Sequence, residues 1–171
     1  MVQIRGFKMI IGNKKLKELF PEFEEDIKEN GIDLRIGSVE HTVNRQGMIG
    51  CIDGTKHLPK TYEVEPMDDV YVFYPHNFYT IVVDRPIHIP EGYCQFYFIR
   101  STFARCGLIL TDAVGDNGFD GTLRLGIYNG SNLKVTAGLN EAIIQAVTIT
   151  NDGATVYDGD YQGDKIYESI E

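Results

Sequence analysis

The side chains best suited to binding an anion are concentrated in one short stretch, residues 100–105, which reads RSTFAR. Its two guanidinium and two hydroxyl groups can donate many hydrogen bonds, and an arginine can donate to a phosphate as a bidentate fork. The stretch therefore predicts a phosphate-binding segment. Its polar residues are the candidate ligands: Arg100, Ser101, Thr102 and Arg105.

A loop rich in aspartate and glycine follows this segment. Its carboxylates and the glycines that let its backbone turn are Asp112, Asp116 and Asp120, and Gly115, Gly118 and Gly121. A carboxylate in such a loop can orient and deprotonate a water molecule, although the same composition is typical of a plain surface turn. The chain then returns as a strand over 123–128, where apolar residues alternate.

Composition limits the kind of protein. The 171 residues, 43% of them hydrophobic, suffice for one globular domain with a substantial core. Ten tyrosines and nine phenylalanines, with no tryptophan, favour β structure. A formal net charge of −9 argues against binding to nucleic acid, which needs a basic surface. A small anionic ligand is compatible with this charge, because it needs only a local basic pocket, often with a divalent cation.

The cysteines Cys51, Cys94 and Cys106 lack the spacing of a metal site. Their odd number predicts reduced thiols that act as small buried apolar residues, as in a cytoplasmic protein. No apolar run approaches the roughly 20 residues that span a bilayer, and the first residues lack a signal-peptide pattern. We therefore expect a cytoplasmic protein without a membrane partner.

The first 30 residues combine a short strand with a helical segment. Weak alternation predicts the strand over 1–11, and Asn13 is a candidate cap for the helix. Pro21 interrupts the helical pattern, so two short turns or a kinked helix are expected. Asn30 and Gly31 are typical of a helix end. The acidic residues of this segment are expected to form a solvated face: Glu22, Glu24, Glu25 and Asp26.

Short strands separated by turn residues dominate the rest of the chain. Runs of β-branched and aromatic residues predict them over 62–64, 70–74, 78–83, 93–99, 133–135 and 142–150. Regular short strands with only one clear helix indicate an antiparallel sandwich or barrel. The residues alone therefore predict an all-β fold with a short, peripheral N-terminal helix.

Several segments resemble motifs of the dCTP deaminase/dUTPase family of trimeric nucleotide enzymes. Residues 100–105 resemble its phosphate motif Arg-Ser-Ser-Leu-Ala-Arg. Residues 115–121, followed by Tyr128 and Asn129, resemble its base-recognition hairpin. Residues 31–37 resemble the Asp-Leu-Arg-Leu-Gly motif of deaminase members.

The resemblance extends over roughly residues 31–163 and implies a distorted jelly roll, that is, a β-barrel or sandwich of the dUTPase type. It implies a single domain over 1–171, with an N-terminal extension over 1–30 and a C-terminal tail over 157–171.

The resemblance also implies roles for individual residues. Asp116 matches the hairpin aspartate and becomes the catalytic candidate, a general base for the attacking water. Phe119 is expected to pack on the deoxyribose, and Gln145 to contact the site at a subunit boundary. Asp33 and Arg35 are expected to support the site.

The tail resembles the deaminase ending Gly-Lys-Tyr-Gln-Gly-Gln, which implies that Tyr157, Tyr161 and Gln162 bind substrate. It departs from that pattern at Asp160, where lysine is expected, and at Asp164, where the second glutamine is expected. An aspartate at the lysine position is expected to repel phosphate unless a cation intervenes.

The implied reaction is hydrolysis of dUTP to dUMP and pyrophosphate, with Mg²⁺ held by phosphates and water, in a homotrimer with sites between subunits. Deaminase members carry a catalytic glutamate ten residues after the hairpin aspartate, where this chain has Gly126. Because glycine cannot carry a proton, we expect dCTP deamination to be lost. The alternatives are dCTP deamination with Asp120 as substitute carboxylate, hydrolysis of a modified pyrimidine triphosphate, and a regulatory nucleotide-binding relative without turnover.

Overall fold

The computed structural model describes residues 9–42, 49–111 and 113–164. The strand predicted over 1–11 therefore lies mostly outside the described residues. Within them, Ile10 forms an isolated antiparallel bridge with Ile149, and the Ile11 amide donates to the Thr148 carbonyl at 2.9 Å. These contacts attach the start of the described chain to its last long strand.

The N-terminal helical segment is divided at a proline, as predicted. Helix α1 (Asn13–Leu19) is followed by a 3₁₀ helix (Pro21–Asp26) that begins at the proline, because proline cannot continue a helix but suits its first position. The buried residues recur at helical spacing: Leu16, Phe20 and Phe23. Gly12, not Asn13, occupies the cap position, so the predicted cap is wrong by one residue.

The predicted helix end at Asn30 and Gly31 is also wrong. The 3₁₀ helix ends at Asp26, and the next residues already pair as an antiparallel ladder, with Lys28 opposite Gly31. Asn30 lies in the turn of this hairpin. Turn and helix-end positions favour the same residue types, which is why the sequence did not separate them.

Strands account for most of the regular structure in the described residues. They are β1 (Ile27–Lys28), β2 (Gly31–Thr42), β3 (Gly50–Ile52), β4 (Thr55–His57), β5 (Thr61–Glu63), β6 (Val70–Phe73), β7 (Phe78–Val83), β8 (Ile87–His88), β9 (Tyr93–Ile99), β10 (Leu108–Leu110), β11 (Val114–Gly115), β12 (Asp120–Gly121), β13 (Arg124–Asn129), β14 (Val135–Gly138) and β15 (Ala142–Thr150). The short helix α2 (Ser101–Arg105) follows β9, and a 3₁₀ turn (Gln162–Asp164) lies in the tail.

A curled antiparallel sheet organises the molecule, in the order β10-β13-β7-β2-β15-β9-β11. The long strand β2 joins its two halves, because its first part pairs with β15 and its second part with β7. The register shifts between Ile36 and Ser38, and such an irregularity bends a strand. This confirms the all-β, jelly-roll-like fold with a small N-terminal helix.

Large aliphatic and aromatic side chains fill the space between the curled halves. Alternate residues of the central strands point inward, as the period-2 pattern predicted. The largest fully buried side chains include Leu34, Ile36, Phe73, Ile81, Ile89 and Tyr97.

The prediction for the cysteines is confirmed only in part. The three cysteines are free, but only Cys94 is buried, whereas Cys51 and Cys106 are exposed, so the expectation that all three are core residues is wrong. Burial, together with the charge of Asp116, raises the pKa of the Cys94 thiol. No helix in the described ranges is long and apolar enough to cross a membrane.

Asp26 is buried rather than part of a solvated acidic face, and this overturns the prediction for that residue. Its side chain is only 3% exposed, and it accepts hydrogen bonds from Arg35 Nε at 2.7 Å and from Arg85 Nη2 at 3.2 Å. The hydrogen bond to Asp26 is the main cause of the raised pKa of Arg35. One carboxylate thus connects the 3₁₀ helix to β2 and to the turn after β7.

Replacing Asp26 by alanine is expected to lower the free energy of unfolding by about 2 kcal/mol. Removal of one partner of a fully buried ion pair has a larger effect, but the side chains of Arg35 and Arg85 are 38% and 34% exposed, so water partly compensates them. Urea denaturation of the variant measures the loss. The matched control is the exposed neighbour, Glu25→Ala, and an equal loss in both variants would contradict a special role for Asp26.

Candidate active site

An open cavity of about 870 Å³ lies over β13 and the loop that precedes it. This volume is within the range of small-molecule sites. Its walls come from the hairpin, the tail and the segment before β5, including Leu58, Lys60, Thr61, Ala113, Asp116, Phe119, Leu123, Tyr157 and Tyr161.

The hairpin holds Asp116 at the edge of this cavity. Gly115 pairs with Gln95 of β9, and the turn is closed by the Phe119 amide, which donates to the Asp116 carbonyl at 3.0 Å. A Cβ atom on Gly115 would lie 2.2 Å from the Tyr97 hydroxyl oxygen, so only glycine permits this approach. The exposed Asp116 carboxylate is therefore carried by a backbone that is fixed on both sides.

A buried polar network that the sequence did not indicate lies beneath Asp116. The Tyr97 hydroxyl donates to Gln95 Oε1 at 3.2 Å, and Gln95 Nε2 donates to Thr148 Oγ1 at 3.1 Å. Burial, with a further contribution from the charge of Asp116, raises the pKa of Tyr97, so its hydroxyl stays protonated. Only the alternation of polar and apolar residues along β9 could have suggested this network.

Asn117 attaches the start of the tail to the hairpin, a role that sequence reasoning missed. Its buried side chain donates to the carbonyls of Ala154 and Thr155 at 3.1 and 3.0 Å. The backbone carbonyl of Asn117 accepts from the Tyr157 amide at 2.7 Å. The Tyr157 ring consequently stands 6.1 Å from the ring of Phe119, centroid to centroid, and both residues line the cavity.

The end of the described tail is held by the same hairpin. Gln162 Oε1 accepts from the Asp120 amide at 3.1 Å, and Gln162 Nε2 donates to the Gly118 carbonyl at 3.0 Å. The Asp164 carboxylate accepts from the Thr122 amide at 3.0 and 3.1 Å. Asp164, which stands where the deaminase tail motif has its second glutamine, therefore accepts a hydrogen bond from a backbone amide of the hairpin region.

Asp160, the other departure in the tail, pairs with Lys56 of β4. The hydrogen bond to Asp160 raises the pKa of Lys56, whose ammonium also lies 4.6 Å from the centroid of the Tyr161 ring. The expected repulsion of phosphate by Asp160 is thus reduced by a cation from a distant strand. Lys56 could not be chosen as this partner from the sequence, because the two residues are 104 positions apart.

The candidate phosphate ligands lie at the end of β9. Arg100 donates to the Ala142 carbonyl at 2.8 Å and lies 3.3 Å from Asp33, which is only 4% exposed. Gln145 Nε2 lies 3.4 Å from the other oxygen of Asp33. The structure therefore brings three of the predicted residues together. The remaining candidates, on helix α2, are exposed: Ser101, Thr102 and Arg105.

The phosphate candidates at the end of β9 and on α2 lie apart from the cavity within one chain. None of the phosphate candidates lines the cavity together with Asp116. Gln95 is paired next to Asp116, whereas Arg100 follows the far end of the same strand, a separation of roughly 16 Å along an extended chain. Arg35 belongs to neither group, because it contacts Asp26 and the Asn140 carbonyl.

Gly126 lies in the cavity floor, and its neighbours occupy the space where a side chain would begin. A Cβ atom there would lie 2.3 Å from Thr111 Oγ1 and 2.5 Å from Phe78 Cζ. Thr111 also donates to the Gly126 carbonyl at 3.1 Å. The chain therefore lacks a carboxylate at this position and has no room for one without movement of Thr111 and Phe78.

The floor of the cavity also carries an ion pair that sequence reasoning missed. Arg124 of β13 pairs with Glu40 of β2, and Thr61 Oγ1 donates to Glu40 Oε2 at 3.0 Å. Because residues two apart along a strand lie on one face of the sheet, the sequence of β13 could have predicted that Arg124 and Gly126 share a face. Glu40 had no local signal, because its partner lies 84 residues away in the chain.

Residues 9–42, 49–111 and 113–164 contain no group of three or more His, Cys, Asp or Glu side chains arranged to hold a metal ion directly. A cation at this site would therefore need ligands other than a cluster of these side chains.

Comparisons with known proteins agree with this geometry. The sequence profile of a family described as dCTP deaminase-like matches residues 8–149. A Methanothermobacter thermautotrophicus protein named "Probable deoxyuridine 5'-triphosphate nucleotidohydrolase" is 41% identical over 154 residues, which cover 90% of this chain and 99% of that protein. A "dCTP deaminase" of Pyrobaculum aerophilum is 29% identical over 168 residues, covering 92% and 93%.

Among solved structures, the dCTP deaminase of Agrobacterium tumefaciens superposes with a TM-score of 0.64 at 15% identity. The alignment covers 84% of this chain and 47% of that one, so this chain spans about half the length of the Agrobacterium chain. The likeness concerns the fold alone. Because the profile covers most of the sequence and a relative is 41% identical over nearly its whole length, the chain belongs to the dCTP deaminase-like family.

Proposed function

We propose that this protein is a deoxyuridine triphosphate nucleotidohydrolase, which converts dUTP and water to dUMP and pyrophosphate. The observation that carries this proposal is Gly126, where the carboxylate needed for deamination is absent and its space is filled by Thr111 and Phe78. Asp116 and the arginine segment, which hydrolysis needs, are retained. The name of the Methanothermobacter relative supports the same reaction.

Asp116 acts as the general base in this proposal. Cleavage between the α- and β-phosphates needs a water molecule aimed in line and neutralisation of the phosphate charge. The exposed Asp116 carboxylate at the cavity edge can orient that water and accept its proton. Phe119 packs against the deoxyribose and disfavours a 2′-hydroxyl by shape. From the tail, Tyr157, Tyr161 and Gln162 cover the nucleotide.

The phosphates are bound by Arg100, Ser101, Thr102 and Arg105 of a neighbouring subunit, in a homotrimer with shared sites. The separation of roughly 16 Å between the two groups in one chain supports this arrangement. So does the surface beside Gln145, where Phe98, its register partner, is 51% exposed. Exposed aromatic side chains next to an incomplete site are typical of a subunit contact.

Mg²⁺ fits the donor set of the site. Asp116 offers a single exposed carboxylate, and Asp33 is already engaged by Arg100 and Gln145. A cation that keeps its water and phosphate ligands suits such a site, and Mg²⁺ prefers those ligands. When bound, it would neutralise charge on the triphosphate, while Asp116 would contact it only through its water shell.

The proposal extends to two general properties. We propose one dUTPase-like domain over 1–171, since the described strands from both ends of the chain share one sheet. We also propose a cytoplasmic location, in keeping with a substrate from the nucleotide pool.

Pyrophosphate and ammonia release from dUTP and dCTP, each with Mg²⁺ and with a chelator, tests the proposal. We expect pyrophosphate from dUTP, dependent on Mg²⁺, and no ammonia from dCTP. Ammonia release from dCTP at a rate comparable with dUTP hydrolysis would assign a deaminase instead. Nucleotide binding without either product would assign a regulatory relative.

A further inference from the structure

The ion pair in the cavity floor has no part in the hydrolysis proposed above. Arg124 and Glu40 line the same cavity as Asp116 and Phe119. Their charged groups are therefore accessible to a nucleotide that occupies it. Water attack on a phosphate needs neither group, so the pair requires a different explanation.

The sheet register shows why these side chains share the floor. Glu40 pairs with Thr80 of β7, and Thr80 pairs with Gly126 of β13. Directly paired residues of an antiparallel sheet share one face, as do residues two apart along a strand. Glu40, Thr80 and Gly126 therefore form a row, and Arg124 extends from the same face two residues before Gly126.

The pair is held in place rather than loosely exposed. The side chains of Arg124 and Glu40 are 26% and 17% exposed. Thr61 donates to the carboxylate oxygen Oε2, while Arg124 engages Oε1. Apolar residues of similar size would avoid the loss of hydration that two such charges suffer. Fixed charges in a cavity floor are typical of a group that recognises a ligand.

The arrangement of donors and acceptors matches one pyrimidine edge. A guanidinium only donates hydrogen bonds, and a carboxylate only accepts them. Uracil presents its O4 acceptor beside the N3–H donor, which complements Arg124 beside Glu40. Cytosine presents the reverse, an amino donor beside an N3 acceptor, so its amino group would face the donors of Arg124.

We propose that Arg124, positioned by Glu40, is the residue that selects a 4-oxo pyrimidine over a 4-amino pyrimidine. The inference rests on the proposed function and deepens it, since it assigns the choice of base to one side chain. A ligand that leaves a buried hydrogen-bond donor unpaired is disfavoured by roughly 10- to 100-fold.

The test compares kcat/KM for pyrophosphate release from dUTP and dCTP in the wild type and in Arg124→Met, which keeps the length of the side chain. The expected result is a fall of at least about 10-fold in the dUTP/dCTP ratio, caused by the loss of dUTP turnover. Arg85→Met is the matched control, because Arg85 also forms a partly exposed ion pair, with Asp84, but does not line the cavity. Its ratio should stay at the wild-type value.

If Arg124→Met does not fold, Arg124→Lys replaces it in the test, because lysine keeps the positive charge but lacks the two-pronged guanidinium. A lowered dUTP/dCTP ratio is again expected. An unchanged dUTP/dCTP ratio in the folded variant overturns the inference.

Calorimetric binding of dUMP and dCMP tests the selection of the base separately from the proposed hydrolase activity. If the wild type hydrolyses nothing, the hydrolase proposal fails, yet the preference for dUMP and its loss in the Arg124 variant are still expected. Equal binding of both nucleotides by the wild type refutes the selection itself.

Discussion

Asp116→Asn is expected to lower kcat for pyrophosphate release from dUTP by about 10²- to 10⁴-fold, the usual contribution of a general base. Asparagine keeps the size and polarity of the side chain but cannot accept the proton of the attacking water. The hairpin should remain intact, because its contacts use the Asp116 carbonyl and the backbone of Gly115 rather than the carboxylate. KM for dUTP should therefore change little.

Steady-state kinetics with the Asp120→Asn variant provides the control. Asp120 lies in the same hairpin, but its exposed carboxylate is near His88 and does not line the cavity. Near-normal kcat is expected for this variant. A variant at Asp116 that keeps a tenth or more of the wild-type kcat would mean that another group activates the water. A large loss in Asp120→Asn alone would transfer the role to that carboxylate.

Mixing two inactive variants is expected to restore activity, because the two halves of a site are proposed to come from different subunits. Arg105→Ala removes a proposed phosphate ligand from an exposed position and should leave the fold unchanged. When Asp116→Asn and Arg105→Ala chains are unfolded and refolded together in equal amounts, about a quarter of the shared sites should contain an intact hairpin and an intact arginine segment. The mixture should therefore regain about a quarter of the wild-type activity.

The control mixture combines two lesions in the same half of the site, Asp116→Asn and Phe119→Ala. No mixed trimer then contains an intact hairpin, so activity should stay at the level of the separate variants. Light scattering of the wild type should give the mass of a trimer. If the Arg105 mixture shows no gain, or if a monomer has full activity, the shared-site arrangement is wrong.

The sequence was most informative where structure depends on neighbouring residues. Strands β7, β9 and β15 begin and end where the apolar pattern predicted, because inward and outward positions alternate along any half-buried strand. The break at Pro21 was predicted for a similar reason, since proline acts on its own turn. The strand predicted over 133–135 instead begins at Val135 and runs to Gly138, because Leu133 still belongs to the preceding turn, where its carbonyl accepts from Asn129 Nδ2 and Ser131 Oγ.

The sequence was least informative about the partners of charged residues. Asp26 was expected on a solvated face and is buried between two arginines. Asp160 was expected to repel phosphate and is paired with Lys56. Lys56 is 104 residues from Asp160, and Arg85 is 59 residues from Asp26. Arg35 is only nine residues from Asp26, but it lies on a different element, β2, so only the packing of the elements brings these partners together.

By itself the sequence determined the all-β class, the arginine segment, the aspartate hairpin and the absence of a carboxylate at Gly126, because each of these is a local pattern of residue types. Only the tertiary structure decided that the hairpin and the arginine segment lie apart in one chain, and that Glu40 and Arg124 meet in the cavity floor. These contacts follow from the order in which strands pair, and that order results from the packing of the whole sheet rather than from any short stretch of sequence.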